Sequence, residues 1–280
     1  MTIFHVSQDG SDAGDGSAGA PWRTITHALE SGLRPGDVVI VAPGTYAEAL
    51  DMDTGGSPAG YVTLKSEVPG AALIRPPADA FTAVRIAADY VILDGFDIGG
   101  AQGDGIEASD VHHVQVLDNI VHGSGESGIQ FNWSEFILVE GNTTYGNASD
   151  GWYSGISIYE TRNITGDAVT EGFRTIVRGN VSHDNVTRQG AHTDGNGIII
   201  DDFRSTQTDG FPAYAFPTLV EGNLVYRNGG KGIQVVWSDH VTVVNNTAWH
   251  NNRDLKNDGT WRGEISNALS SNNTFVGNIA

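Results

Sequence analysis

Val114–Asn119 reads VQVLDN, and the phrase returns as FILVEGN (136–142), RTIVRGN (174–180), PTLVEGN (217–223), VTVVNN (241–246) and SSNN (270–273). Most copies alternate apolar and polar side chains with the period of a β-strand, and each closes on Asn. The closing residues Asn119, Asn142, Asn180, Asn223, Asn246 and Asn273 are 23, 38, 43, 23 and 27 positions apart. Between them runs a second phrase, Gly-Ile followed by alternation: DGIEASD at Gly105, SGIQFNW at Gly128, SGISIYE at Gly155, NGIIIDD at Gly197 and KGIQVVW at Gly232. A period in the low twenties that tolerates insertions is the mark of a solenoid. Short β-branched runs between Gly, Asn and Asp turns make it a β-solenoid.

The expected fold is all-β: a right-handed parallel β-helix with a short N-terminal capping helix. Equivalent positions of successive coils then stack about 4.8 Å apart, and the recurring Asn can form a ladder of side-chain amides. No Asn precedes Asn119, yet DVVIVAPGTY (37–46), YVTLKS (61–66) and YVILDGFDI (90–98) continue the strand pattern. In TITHALESGL (24–33), Ile25, Ala28, Leu29 and Leu33 share one helical face and suit a cover for the exposed strand edges of the first coil. The chain reads as one domain, 1–280. Residues 1–60 form the cap and first coils, and 61–280 form coils with long loops around 160–195 and 203–218. The ending FVGNIA falls in mid-coil, which fits a truncated chain or a further element beyond it.

The 280 residues carry 34 acidic against 15 basic side chains, a formal charge of −19, with three lysines and no Cys. A polyanion such as DNA is held by neutralising its phosphates, so nucleic acid is not an expected partner. Disulfide scaffolds, thiolate zinc sites and cysteine nucleophiles are excluded. No apolar run approaches the length that spans a bilayer, and MTIFHVSQDG lacks the basic and apolar regions of a cleavable leader. The expectation is a monomeric, secreted bacterial protein without a visible signal peptide. His112, His113, His122, His183, His240 and His250, the acidic loop SDAGDGSAG and the seven glycosylation-like triplets are read as turn and loop composition.

The opening FHVSQDGSDAGDGSAGAPWRTITHAL, with GDVVIVAPGTYAE, resembles the N-terminus of secreted right-handed parallel β-helix proteins of the pectin-lyase-like group. These include pectate and alginate lyases, β-helix glycosidases and relatives of mannuronan epimerases. The resemblance implies a carbohydrate-active protein; its coils are shared among families whose active sites differ.

Registering the Gly-Ile phrases puts Ile106, Ile129, Ile156, Ile198 and Ile233 inward. Outward columns follow: Glu107, Gln130, Ser157, Ile199, Gln234, and then Ser109, Asn132, Tyr159, Asp201, Val236. The strand ends are Asp110, Trp133, Glu160, Asp202 and Trp237. Such a face suits sugars, because aromatic rings stack on pyranoses while amides and carboxylates bond hydroxyls. Gln130, Asn132, Trp133, Gln234 and Trp237 are the substrate-binding candidates. The densest segment, HTDGNGIIIDDFR (192–204), adds catalytic candidates His192, Asp201, Asp202 and Arg204 to Tyr159, Glu160 and Lys231. Asp194, Asp201 and Asp202 could ligate Ca²⁺ through hard oxygens.

Three chemistries fit these parts. The leading expectation is a lyase that cleaves an acidic, uronate-containing polysaccharide such as pectate or alginate by β-elimination. It would take a base from Lys231, Arg204, His192 or Tyr159. The alternatives are a glycoside hydrolase using Asp201, Asp202 or Glu160 as its carboxylate pair, and a mannuronan C5-epimerase-like or non-catalytic carbohydrate-binding protein. The plainer reading is that Asp201 and Asp202 only cap turns. The loop residues Asp167, Glu171, Phe173, Arg174, Arg188, Phe211, Tyr214 and Phe216 are expected to wall the cleft. Trp261, Arg262 and Glu264 would line or cover the last coil.

Overall fold

The computed structural model describes residues 1–257 and 262–280; Trp261 lies outside them. The chain winds as a parallel β-helix through three sheets of ten, eight and eight strands, all pairings within them parallel. One coil shows the plan: Ile129–Asn132, Glu135–Glu140 and Thr143–Tyr145 each belong to a different sheet. The expected register is met. Ile106, Ile129, Ile156, Ile198, Ile233 and Ile265 pair in sequence along the sheet that carries the cleft. All but Ile265, which is partly buried, are fully buried in one apolar core that fills the coils.

The Asn ladder is real, and its geometry explains the Gly that so often precedes each Asn. The strand ends in a left-handed residue, Asp118, Gly141, Gly179, Gly222, Asn245 or Gly277, with φ between 52° and 69°. Gly, Asn and Asp tolerate that conformation best. The next residue then turns its amide inward. Nδ2 of Asn119, Asn142, Asn180, Asn223 and Asn246 donates to Oδ1 of the following Asn at 2.9–3.2 Å, and each backbone N–H donates to the same oxygen. The last rung is Asn278 rather than Asn273, whose Oδ1 instead accepts from Val241 N–H. The final step is therefore 32 residues, and VGN (276–278) is the true copy of the phrase.

A second ladder, not anticipated from the spacing, runs through Asn147, Asn185, Asn228 and Asn251 and ends on Glu264. Both ladders satisfy buried turn groups that water cannot reach.

The capping helix spans Ile25–Glu30, shorter than the 24–33 pattern. Thr24 Oγ1 accepts from His27 N–H at its start, and Ile25, Ala28 and Leu29 are buried. Leu33 still packs into the core from the turn beyond it.

Asn180→Ala would take the acceptor from the backbone N–H of Asn142 and one of three acceptors from its Nδ2, and would remove the side-chain donor to the carbonyl of Val139. A stability loss of about 3 kcal/mol or more is expected, read as a lower denaturant midpoint. A loss within about 0.5 kcal/mol would reduce the ladder to ordinary turn chemistry.

Candidate active site

The cleft lies on the outer face of the sheet formed by Ile106–Ser109, Ile129–Asn132, Ser154–Tyr159, Asn196–Asp201 and Ile233–Val236. It has two lobes of about 380 and about 280 Å³ that share Trp152, Asp194, Ile199, Asp201 and Gln207. The larger lobe adds Phe81, Asp104, Glu107, Glu126, Gln130, Asn132, Tyr153, Ser157 and Tyr159. The smaller adds Thr193, Lys231, Gln234, Val236 and Trp237. Both expected outward columns thus face the cleft, because strand alternation sends positions two apart to the same side.

Asp201 stands at the junction of the lobes. Its Oδ1 is buried with no hydrogen-bond partner. Burial, followed by the charges of Asp194, Asp202 and Glu160, pushes its carboxyl up to about 8. Asp194 has the opposite surroundings: Oδ1 accepts from Asn196 Nδ2 at 2.9 Å and Oδ2 from Thr193 Oγ1 at 2.8 Å. Asn196, wholly buried, also donates to Gln234 Oε1 at 3.1 Å and accepts from Lys231 N–H at 2.8 Å. The buried Lys231 ammonium donates to Thr193 O at 2.8 Å, and burial lowers its proton affinity.

At the far end of the larger lobe, burial and then the charges of Glu126 and Glu107 hold Asp104 well above the usual carboxylate range. Glu126 is raised chiefly by burial.

The structure separates other candidates from this cleft. Asp110, Trp133, Glu160, Asp202 and Trp237 all adopt left-handed φ, from 46° to 54°, which swings their side chains out of the sheet's alternation. Glu160 is therefore fully buried, accepting from Trp133 Nε1 at 2.6 Å and Arg162 at 2.8 Å. Asp202 accepts from Thr206 N–H and Oγ1 and from Gln207 N–H at 2.6–2.7 Å; it closes the loop that brings Gln207 to the cleft. Only Trp237 of that column lines a lobe. Arg204 is held by Asp239, Leu269 O and Ser271. His192 pairs with Asp254. Neither lines a lobe.

Long-loop residues mostly brace rather than wall the cleft. Arg174 is buried against Glu135 at 2.7 Å between the rings of Phe136 and Phe216, and Arg162 lies 3.5 Å over the Phe211 ring. At the last coil, Arg262 bonds the carbonyls of Asn252 and Asn257.

Asp104, Glu126, Phe81, Trp152, Tyr153 and Gln207 were not singled out from sequence. Asp104 had a visible signal: the residue before each Gly-Ile is polar, giving the column Asp104, Ser127, Ser154, Asn196 and Lys231. The suggested Ca²⁺ ligands do not converge. Asp202 spends both oxygens on its own loop, and among the described residues no three His, Asp or Glu side chains are grouped to hold a metal.

A family described as a protein of unknown function (DUF1565) matches residues 8–53, the cap region. No curated protein matches. Among solved structures the chain is similar to the pectate lyase Pel9A, with 15% identity and a TM-score of 0.58 over 94% of this chain and 57% of that one. It is similar to an alginate lyase from Paenibacillus sp. str. FPU-7, with 16% identity and a TM-score of 0.56 over 98% and 76%. It is also similar to the GH136 lacto-N-biosidase from Eubacterium ramulus, with 14% identity and a TM-score of 0.54 over 99% and 51%. The chain thus spans little more than half of the pectate lyase and the biosidase. At these identities the likeness is one of fold, that of a parallel β-helix. No helix among the described residues is long and apolar enough to cross a membrane.

Asp201 ionises near 3.8 in an unfolded chain and at about 8 in the fold. The folded protein therefore holds the extra proton, and this group's contribution to stability falls as pH rises from about 4 to about 8. Asp201→Asn removes that penalty. Its melting temperature should exceed the parent's by at least about 3 °C at pH 9, with the difference closing towards pH 4. A constant difference across that range would contradict the raised carboxyl.

Proposed function

We propose that the protein is a glycoside hydrolase that cuts a glycan lying along the cleft. Asp201 is its proton donor and Asp194 the second carboxyl. The observation that carries this reading is the contrast between the two carboxyls lining the shared part of the cleft. One has a buried Oδ1 without a partner among the described residues and is protonated near neutrality, while the other accepts hydrogen bonds from Asn196 and Thr193. A protonated carboxyl beside a second, differently bonded one supplies the parts that acid-assisted cleavage of a glycosidic bond needs. Asp201 protonates the leaving oxygen, and Asp194 activates water or attacks at the anomeric carbon. Trp152 and Trp237 offer sugar-stacking surfaces in the smaller lobe, and Gln130, Asn132, Gln234 and Gln207 offer hydroxyl partners. The charge of −19 and lack of Cys support action outside the cell.

Elimination from a uronate is the second reading, favoured by Lys231. Burial lowers its proton affinity, which suits a base. It is weaker because an elimination must also neutralise the substrate carboxylate. Against five acids, Lys231 is the one cation that lines the lobes among the described residues.

A panel of neutral glycans, amino glycans, pectate and alginate, with and without chelator, separates the two. Hydrolysis releases reducing ends without the ultraviolet absorbance of a new C4–C5 double bond. Asp201→Asn and Asp194→Asn should each lower kcat by roughly 10³-fold while the protein stays folded. The parent's rate should fall as pH rises past about 8, where Asp201 gives up its proton. Absorbance that grows with the reducing ends, and is lost in Lys231→Met, would replace this reading with the lyase.

A further inference from the structure

The larger lobe, away from Lys231, gathers Asp104, Glu107 and Glu126 with exposed aromatic rings; Glu107 is bonded by Thr82 and Ser109 and Glu126 by Tyr153, all of them uncharged. Asp104 lines it while only 4% exposed. Its Oδ1 accepts from Ser127 N–H at 2.8 Å, its one hydrogen bond among the described residues. Glu107 and Glu126 line the same lobe and press like charge on it.

None of these three acids forms an ion pair among the described residues. Elsewhere Asp51, Asp53, Asp94, Asp97, Glu140, Asp184 and Asp239 each sit against an Arg or Lys. Keeping like charges together in a half-enclosed space without counter-charge disfavours the folded state. A cation arriving with the ligand relieves that cost. Phe81 and Trp152 at this lobe are 59% and 70% exposed, and exposed rings offer stacking faces to a pyranose and a cation alike.

We propose that this lobe is a subsite for a hexosamine whose amino group is unacylated, its ammonium held among Asp104, Glu107 and Glu126 and its ring against Trp152 or Phe81. This rests on the reading of the cleft as a glycan-cutting site, and it names the substrate class. A uronate would meet repulsion here. A bare divalent ion fits less well, since no three acidic or His side chains converge on a metal position among the described residues.

Calorimetric titration of full-length Asp201→Asn protein tests the subsite without turnover. The probes are a short glucosamine oligomer, its N-acetylated counterpart, an oligogalacturonate and calcium chloride alone. The glucosamine oligomer should bind at least tenfold more tightly than the acetylated one. Adding Asp104→Asn, which keeps an acceptor for Ser127 N–H, or Glu107→Gln, at a half-buried position, should each erase most of that preference, lowering the glucosamine oligomer's affinity by a larger factor than the acetylated oligomer's. Equal or tighter binding of the acetylated oligomer or the galacturonate overturns the proposal, as does no binding of any oligomer. Saturable calcium binding that Asp104→Asn abolishes would make the lobe a metal site instead. The parent's reducing-end assay keeps the two readings apart. Amine-selective binding without cleavage sinks the hydrolase and spares the subsite; cleavage of neutral glycans with no amine preference does the reverse.

Discussion

Everything in this molecule is referred to the fixed rise between coils, about 4.8 Å, and the buried amides enforce it. Each Asn of the first ladder after Asn119 receives the backbone N–H and the side-chain amide of the previous coil's Asn, and its own amide also reaches a carbonyl of that coil. A turn that must be left-handed and buried would otherwise strand polar groups at every coil. With the ladder in place, a turn repeats with the same shape and hands each strand to its neighbour in register. Insertions then leave at the loops without disturbing the stack, which is why steps of 23 and 43 residues coexist.

Register converts a one-dimensional repeat into a two-dimensional surface. Glu107, Gln130, Ser157, Ile199 and Gln234 are distant in sequence and adjacent on the face. The polar column beneath runs from Asp104 through Ser127, Ser154 and Asn196 to Lys231, joined partly by Ser127 N–H to Asp104, Asn196 to Ser154, and Lys231 N–H to Asn196. The cleft is consequently graded, with crowded acids at one end and a buried ammonium at the other. A glycan along it would meet different charge at each sugar, and the contrasting carboxyls of Asp194 and Asp201 lie between those ends.

The outward columns were readable because strand alternation is strict. The column one residue later was not, because a left-handed residue breaks the alternation there. Glu160 and Asp202 looked like cleft carboxylates by continuation, and the backbone turns both away to hold Trp133 and Arg162, and Thr206 and Gln207. Loop residues failed for another reason. Arg174 and Phe216 were candidate walls by length of insertion alone, and packing made them a brace around Glu135. Asn273 lost its expected rung to Asn278 because the last insertion falls within the final coil.

The sequence by itself determined the solenoid, the inward isoleucines, the cap and the two outward columns that reach the cleft, since these follow from periodicities of two residues and one coil. Only the tertiary structure decided which acids share the cleft. Glu126, Asp194 and Trp152 reach it from turns and loops that obey no period, Asp104 reaches it from a periodic column that only the fold shows to open on the cleft, and the charge state of Asp201 depends on burial by neighbours from other coils. Local pattern carries backbone geometry; desolvation and proximity are properties of the assembled surface.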